Sequence, residues 1–83
     1  MRLEFDQVKD SANRRKHGLS LGEFGGFDLE PIEIADERRD YGEQRYRAIG
    51  KIDGKLHMIA YVRRDDVVRL ISFKNAAQGA TLV

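Results

Sequence analysis

From Arg45 onward the hydrophobic positions recur at every second residue. Tyr46, Ala48, Gly50 and Ile52 share one parity, followed by Leu56, Met58, Ala60 and Val62, then by Val68, Leu70 and Ser72. Such alternation marks strands with one face turned to a core. Asp53-Gly54 is a two-residue hairpin signal and Asp65-Asp66 a second turn, so the three segments are expected as an antiparallel meander. Pro31 breaks the preceding pattern. Ile32 to Ala35 then supply a short β-prone stretch on the N-terminal side of the meander, ahead of an acidic loop from Asp36 to Glu43.

The first third of the chain has helical punctuation instead. Lys9 to Lys16 reads as the body of a helix with Asp6 as N-cap and Gly18 as its stop. Val8 and Ala12 share one face, and Arg14-Arg15-Lys16-His17 complement the negative end of the dipole. Ser20-Leu21-Gly22-Glu23 has the spacing of a capping box, and Leu21, Phe24 and Phe27 form a short apolar stripe. A second, shorter helix is expected there, weakened by Gly25-Gly26. These elements give an α+β fold, two N-terminal helices packed on a small antiparallel β-sheet, as one domain over residues 1–83. Tyr46, Leu56, Met58, Ala60, Val62, Val68 and Leu70 are expected to face the helices. Arg45, Arg47, Lys51, His57, Tyr61, Arg63, Arg69 and Phe73 are then expected on the opposite face.

Composition narrows the function classes. With 83 residues, 41% of them hydrophobic, the chain supports one modest core. Its longest apolar runs, Met58 to Val62 and Leu70-Ile71, fall far short of the roughly 20 residues a membrane span needs. The acidic start Met1-Arg2-Leu3-Glu4-Phe5-Asp6 lacks a signal-peptide core, so a cytoplasmic location away from membranes is expected. Cysteine is absent, which removes disulfides and thiolate chemistry. His17 and His57 are the only imidazoles and have no second ligand at a helical spacing, so no metal site is expected. There is no phosphate-binding glycine motif, and no cofactor is expected.

The net charge of +1 conceals a polarised chain. Residues 28–43 hold seven acids against two arginines, whereas residues 44–83 hold eight bases against three acids. An anionic substrate is therefore compatible with a near-neutral total. Arginines on neighbouring strands, interleaved with Tyr61 and Phe73, could hold phosphates and stack bases of single-stranded RNA. The same stripe also fits an ordinary solvated sheet face whose long side chains cover the rings. RNA cleavage asks little of a protein, because the substrate's 2′-OH can be the nucleophile. His17 suits proton transfer, and equally suits a helix C-terminus.

The segment Phe5-Asp6-x-x-Lys9-x-x-x-Asn13-x-x-Lys16-His17-Gly18-Leu19-Ser20-x-x-Glu23 resembles the opening of the BrnT toxins. These are small ribonucleases of type II toxin–antitoxin modules with a RelE-like fold. Glu43-x-Arg45-Tyr46-x-Ala48-Ile49-Gly50, Tyr61-Val62-Arg63 and Arg69-Leu70-Ile71-Ser72 are similar to that family's strand segments in the same order, so the resemblance covers residues 3–76. It implies an RNA-cleaving toxin that inhibits translation, neutralised by a BrnA-like antitoxin with a ribbon-helix-helix domain. DNA would be contacted only indirectly, through the antitoxin complex. By residue matching it implies Arg45, Arg63, Arg69 and Lys74 as catalytic or substrate-facing, with Lys16 and His17 beside them; Arg47, Tyr61 and Phe73 of the basic, aromatic stripe complete the expected RNA-binding set with Lys16 and His17. The family typically reads Ile-Ser-x-Arg-Arg-Ala into a charged C-terminal helix, where this chain reads Ile71-Ser72-Phe73-Lys74-Asn75-Ala76. A short or missing C-terminal helix is expected. So is an apolar sheet surface in need of a partner, and a catalytically degenerate, antitoxin-binding co-repressor is the alternative reading.

Overall fold

The computed structural model describes residues 2–38, 40 and 42–76. In chain order the elements are β1 (Arg2–Glu4), α1 (Gln7–His17), a single 3-10 turn (Leu21–Glu23), β2 (Ile32–Asp36), β3 (Arg45–Ile52), β4 (Lys55–Arg64) and β5 (Val67–Asn75). The described strands form one sheet in the order β1-β5-β4-β3-β2. From β2 to β5 the pairing is antiparallel, as the alternation and turns predict, and β1 joins β5 in parallel.

Two features correct the expected architecture of two helices on a small antiparallel sheet. Among the described residues there is one α-helix, and the second predicted helix is only the three-residue 3-10 turn. Its capping box forms, with Ser20 accepting from the Gly22 N–H and Glu23 accepting from the Ser20 N–H. Phe24 then turns extended and Gly25-Gly26 prevent propagation. The sheet is mixed because Arg2–Glu4, too short to show alternation, adds beside β5. The predicted shortening of a C-terminal helix falls on residues 77–83, outside the described residues.

Local signals elsewhere hold. Asp6 caps α1 by accepting from the Val8 N–H at 2.7 Å, and Gly18 ends it at φ 74° with its N–H on the Arg14 carbonyl. Asp53 and Gly54 both take positive φ, as a primed hairpin turn demands. The Asp28 carboxylate accepts from both of their N–H groups at 3.1 Å, clamping the β3–β4 hairpin to the chain entering β2.

The helix is anchored by polar groups and not by Val8, which is 76% exposed. Asp10 and Asn13 are its buried residues. Asp10 accepts from the Ser20 hydroxyl at 2.9 Å and the Leu21 N–H at 2.7 Å. Asn13 reaches β5, donating to the carbonyls of Phe73 and Leu19 and accepting from the Phe73 N–H. α1 thus holds the part of β5 beyond the reach of β1, whose pairing stops at Arg69.

Directly paired residues share a face, so the register separates two surfaces. The inner face carries Tyr46, Ala48, Ile59, Tyr61, Val68, Leu70 and Phe73, packed with Phe5, Leu19, Leu21, Phe24 and Phe27. A bulge opposite Ala60 and Tyr61 leaves Ile71 without a partner, so Leu70 and Phe73, three apart, both point into the core. The expected facing of β4 is reversed. Leu56, Met58, Ala60 and Val62 lie on the outer face with Arg45 and Arg47, while His57, Tyr61 and Arg63 lie on the inner side. β4 is apolar at both parities, so its alternation does not fix its phase; the phase follows from where residues 19–27 pack.

Candidate functional site

Three rungs of the outer face run across the strands, beside the Lys51–Leu56 pair at the end of the β3–β4 hairpin. The first reads Asp36, Arg45, Val62, Arg69 and Glu4 from β2 to β1. The second reads Ile34, Arg47, Ala60 and Ser72, and the third Ile32, Ile49, Met58 and Lys74. Val62, only 6% exposed, therefore lies between two arginines whose stems flank it. Arg69 pairs with Glu4 at 3.3 Å, but both side chains are largely exposed. Such a pair contributes at most about 1 kcal/mol and yields readily to a phosphate. Beside it a cleft of about 280 Å³ is lined by Arg2, Glu4, Glu43, Arg64, Val67 and Arg69 among others. The Nε of Arg47 is buried and has no hydrogen-bond partner among the described residues.

A groove of about 280 Å³ runs between α1 and the bulge of β5, lined by Lys9, Ala12, Asn13, Lys16, His17, Ile71 and Ser72. The bulge turns Ile71 and Ser72 toward the helix, and the basic last turn of α1 supplies the cations. Partial burial lowers the pKa of His17 below its ordinary 6.5, and the charges of Lys74 and Lys16 lower it further. The lowering favours the neutral imidazole, the state of a proton acceptor.

The nine residues singled out from the sequence thus divide between two surfaces. Arg45, Arg47, Arg69 and Lys74 share the outer face, and Lys16 and His17 adjoin it across the α1 groove. Tyr61 and Phe73 are core residues at 4% exposure, not stacking platforms on an open face. Tyr61 stacks on Tyr46 at 5.7 Å, and Phe73 meets Phe24 edge-on. Arg63 folds over the inner side, its guanidinium 5.0 Å from the Tyr46 ring and 5.7 Å from that of Tyr61, and ion-pairs with Glu33. There it closes one end of an apolar cavity of about 320 Å³ lined by Phe24, Phe27, Ile59 and Tyr61.

Sequence reasoning missed Asn13 as the residue that fixes the groove. Its signal was available: Asp10 and Asn13 are three apart, on one face of a helix too poor in apolar residues to dock by hydrophobic contact.

No curated protein and no solved structure matches the chain. A family model described as the ribonuclease toxin, BrnT, of type II toxin–antitoxin systems matches residues 5–79, a span that holds α1 and all strands from β2 to β5. The chain belongs to the BrnT family of type II toxin–antitoxin ribonuclease toxins.

Proposed function

We propose that the outer face and the α1 groove together bind and cut RNA without a metal ion, using the substrate's own 2′-OH as nucleophile. The observation that carries this reading is the continuity of the cations. Arg45 and Arg69 flank Val62 on one rung, Arg47 and Ser72 occupy the next, and Lys74 stands on the third within electrostatic reach of His17. Guanidinium and ammonium groups of this kind hold a phosphate and stabilise the extra negative charge of a five-coordinate phosphorus. Neutral His17 is suited to take the 2′-OH proton as that oxygen attacks the adjacent phosphorus. The P–O5′ bond breaks and the 5′-oxygen takes up a proton, leaving a 2′,3′-cyclic phosphate and a 5′-OH. The arginines and Lys74 of this surface suit phosphate, and its carboxylates Glu4 and Asp36 sit at the two ends of the first rung.

Cleavage of messenger RNA inhibits translation, and a cytoplasmic site of action follows from the substrate. The antitoxin is proposed to be BrnA-like, with a ribbon-helix-helix domain that contacts DNA on behalf of the complex. The reading is tested with purified toxin, freed of antitoxin, and RNA in EDTA. Expected are new 2′,3′-cyclic phosphate ends from the parent chain and at least a hundredfold slower cleavage by Arg69→Ala, roughly the size of effect seen when one transition-state donor is removed. Asn75 stands where the family's pattern has a base, which favours the degenerate reading as second choice. Intact RNA from a folded protein that still binds its antitoxin would establish that alternative.

A further inference from the structure

β2 is the last strand of the sheet, and among the described residues no element pairs with its outer side. It is also apolar where it is most exposed. Ile32 and Ile34 are 68% and 43% exposed, and both lie on the outer face. They continue inward through Ile49 and Met58 on the neighbouring strands, next to exposed Leu56. An edge that is open and apolar on one face is a template for an added strand.

Charge indicates which strand. The segment from Asp28 to Glu43 has seven acids and two arginines. Asp28 is occupied by the hairpin turn, Glu33 by Arg63, Asp36 by Arg38 and Glu43 by Arg64. Exposed Glu30, Glu37 and Asp40 have no ion pair among the described residues, and Glu30 and Glu37, just outside the two ends of β2, mark the edge as acidic. A second copy of this chain would bring one acidic segment against another, with like charges along the new ladder. A strand added beside β2 would instead place alternate side chains next to Ile32 and Ile34 on the outer face and next to Glu33 on the inner side.

We infer that the free edge of β2 is a docking site for the antitoxin, which adds an extended segment whose apolar residues alternate with lysine or arginine. The apolar residues extend the Ile32–Ile34 strip, and the basic ones meet the two flanking glutamates, Glu30 and Glu37. The added strand is separated from Arg47 by β2 itself, so occlusion of the cationic rungs falls to the antitoxin chain that continues from the added strand across the outer face. Only this last consequence rests on the proposed RNA face. The docking itself requires only membership of a toxin–antitoxin family.

The test uses the toxin and its purified cognate antitoxin, with no RNA present, so its outcome is independent of whether the outer face cuts RNA. In the saturated wild-type complex, amide hydrogen exchange at every second residue of 32–36 should slow at least tenfold relative to free toxin. Replacing both isoleucines, Ile32→Lys with Ile34→Lys, should weaken antitoxin binding by about a hundredfold, the loss expected of a buried anchor pair. Glu30→Lys with Glu37→Lys should weaken it about tenfold and flatten its salt dependence. Unchanged exchange across 32–36 in the complex overturns the inference, even if the isoleucine variant fails to fold. Full affinity in a folded Ile32→Lys/Ile34→Lys toxin overturns it as well. Concentration-dependent dimerisation of the toxin alone, with the same amides protected, would give the edge to a second copy and also overturn it.

Discussion

Asn13 and Phe73, sixty residues apart, satisfy each other completely: the carboxamide donates to the Phe73 carbonyl at 2.8 Å and accepts from the Phe73 N–H at 3.0 Å. One side chain thereby does the work of a neighbouring strand for a single residue of β5, at the point where β1 no longer reaches. Its remaining donor closes on the Leu19 carbonyl at 2.9 Å. Asn13→Leu leaves two buried backbone groups of Phe73 and the part-buried Leu19 carbonyl without this partner, and should destabilise the fold by about 2–4 kcal/mol. Urea denaturation would measure this, and Asn13→Asp should also be destabilising, because a carboxylate cannot donate to either carbonyl.

Gly50 is required by a ring and not by its backbone angles. A Cβ there would lie 2.8 Å from Cδ1 of Phe27 and 3.2 Å from Cβ of Pro31. Gly50→Ala should cost about 1–3 kcal/mol through overpacking. In a Phe27→Leu background the same change should cost clearly less, and a double-mutant cycle of thermal or urea midpoints reads the coupling.

Acidification should destabilise the protein in two stages. The folded pKa of His17 is lowered below 6.5, so folding disfavours its charged form; its contribution is fully present above 6.5 and is lost as pH falls through the lower, folded value. Asp10 is also lowered, first by its bond from the Leu21 N–H and then by Ser20 and Arg14, against an opposing cost of burial. Its contribution is present above 3.8 and disappears as pH drops further. His17→Gln should abolish the first stage alone. Lys74→Ala should move the His17 titration, followed by NMR, back toward 6.5; an unmoved titration would mean that Lys74 does not face the groove.

Arg69 and Arg63 separate the two surfaces experimentally. Arg45→Ala and Arg69→Ala should slow RNA cleavage and lower the salt dependence of RNA binding by roughly 0.7 in logarithmic slope for each phosphate left without its cation. Arg63→Ala should leave cleavage within a fewfold and act instead on stability, by removing the cation over Tyr46 and Tyr61 and leaving Glu33 without its partner. The reverse pattern would move the site to the inner cleft.

What could be read from the sequence was local in origin. Asp6, Gly18, the Ser20–Glu23 box and Asp53-Gly54 each act on backbone groups within a few residues, so their types and spacing suffice. The phase of β4 could not be read this way. Leu56-His57-Met58-Ile59-Ala60-Tyr61-Val62 offers apolar residues to both faces, and the arrangement is decided by Phe24 and Phe27 some thirty residues upstream. That is why Arg45, Arg69 and Lys74 come together on one face while Tyr61, Phe73 and Arg63 turn to the other side. β1 was illegible for a similar reason, since three residues carry no period and the strand exists only because β5 is there to receive it.

Ile71, the residue left over at the bulge, keeps two incompatible demands on one strand apart. Before it, even-numbered positions of β5 feed the core; after it, Phe73 does, which frees Ser72 and Lys74 for the groove and the cationic face. Were Ile71 to take a regular place in the ladder instead of bulging out of it, the end of the strand would turn over like a page. Lys74 would then be sent into the hydrophobic interior and an aromatic ring out into water. In this protein it is the exclusion of that residue from the pairing that allows the same nine-residue strand to be scaffold at one end and working surface at the other.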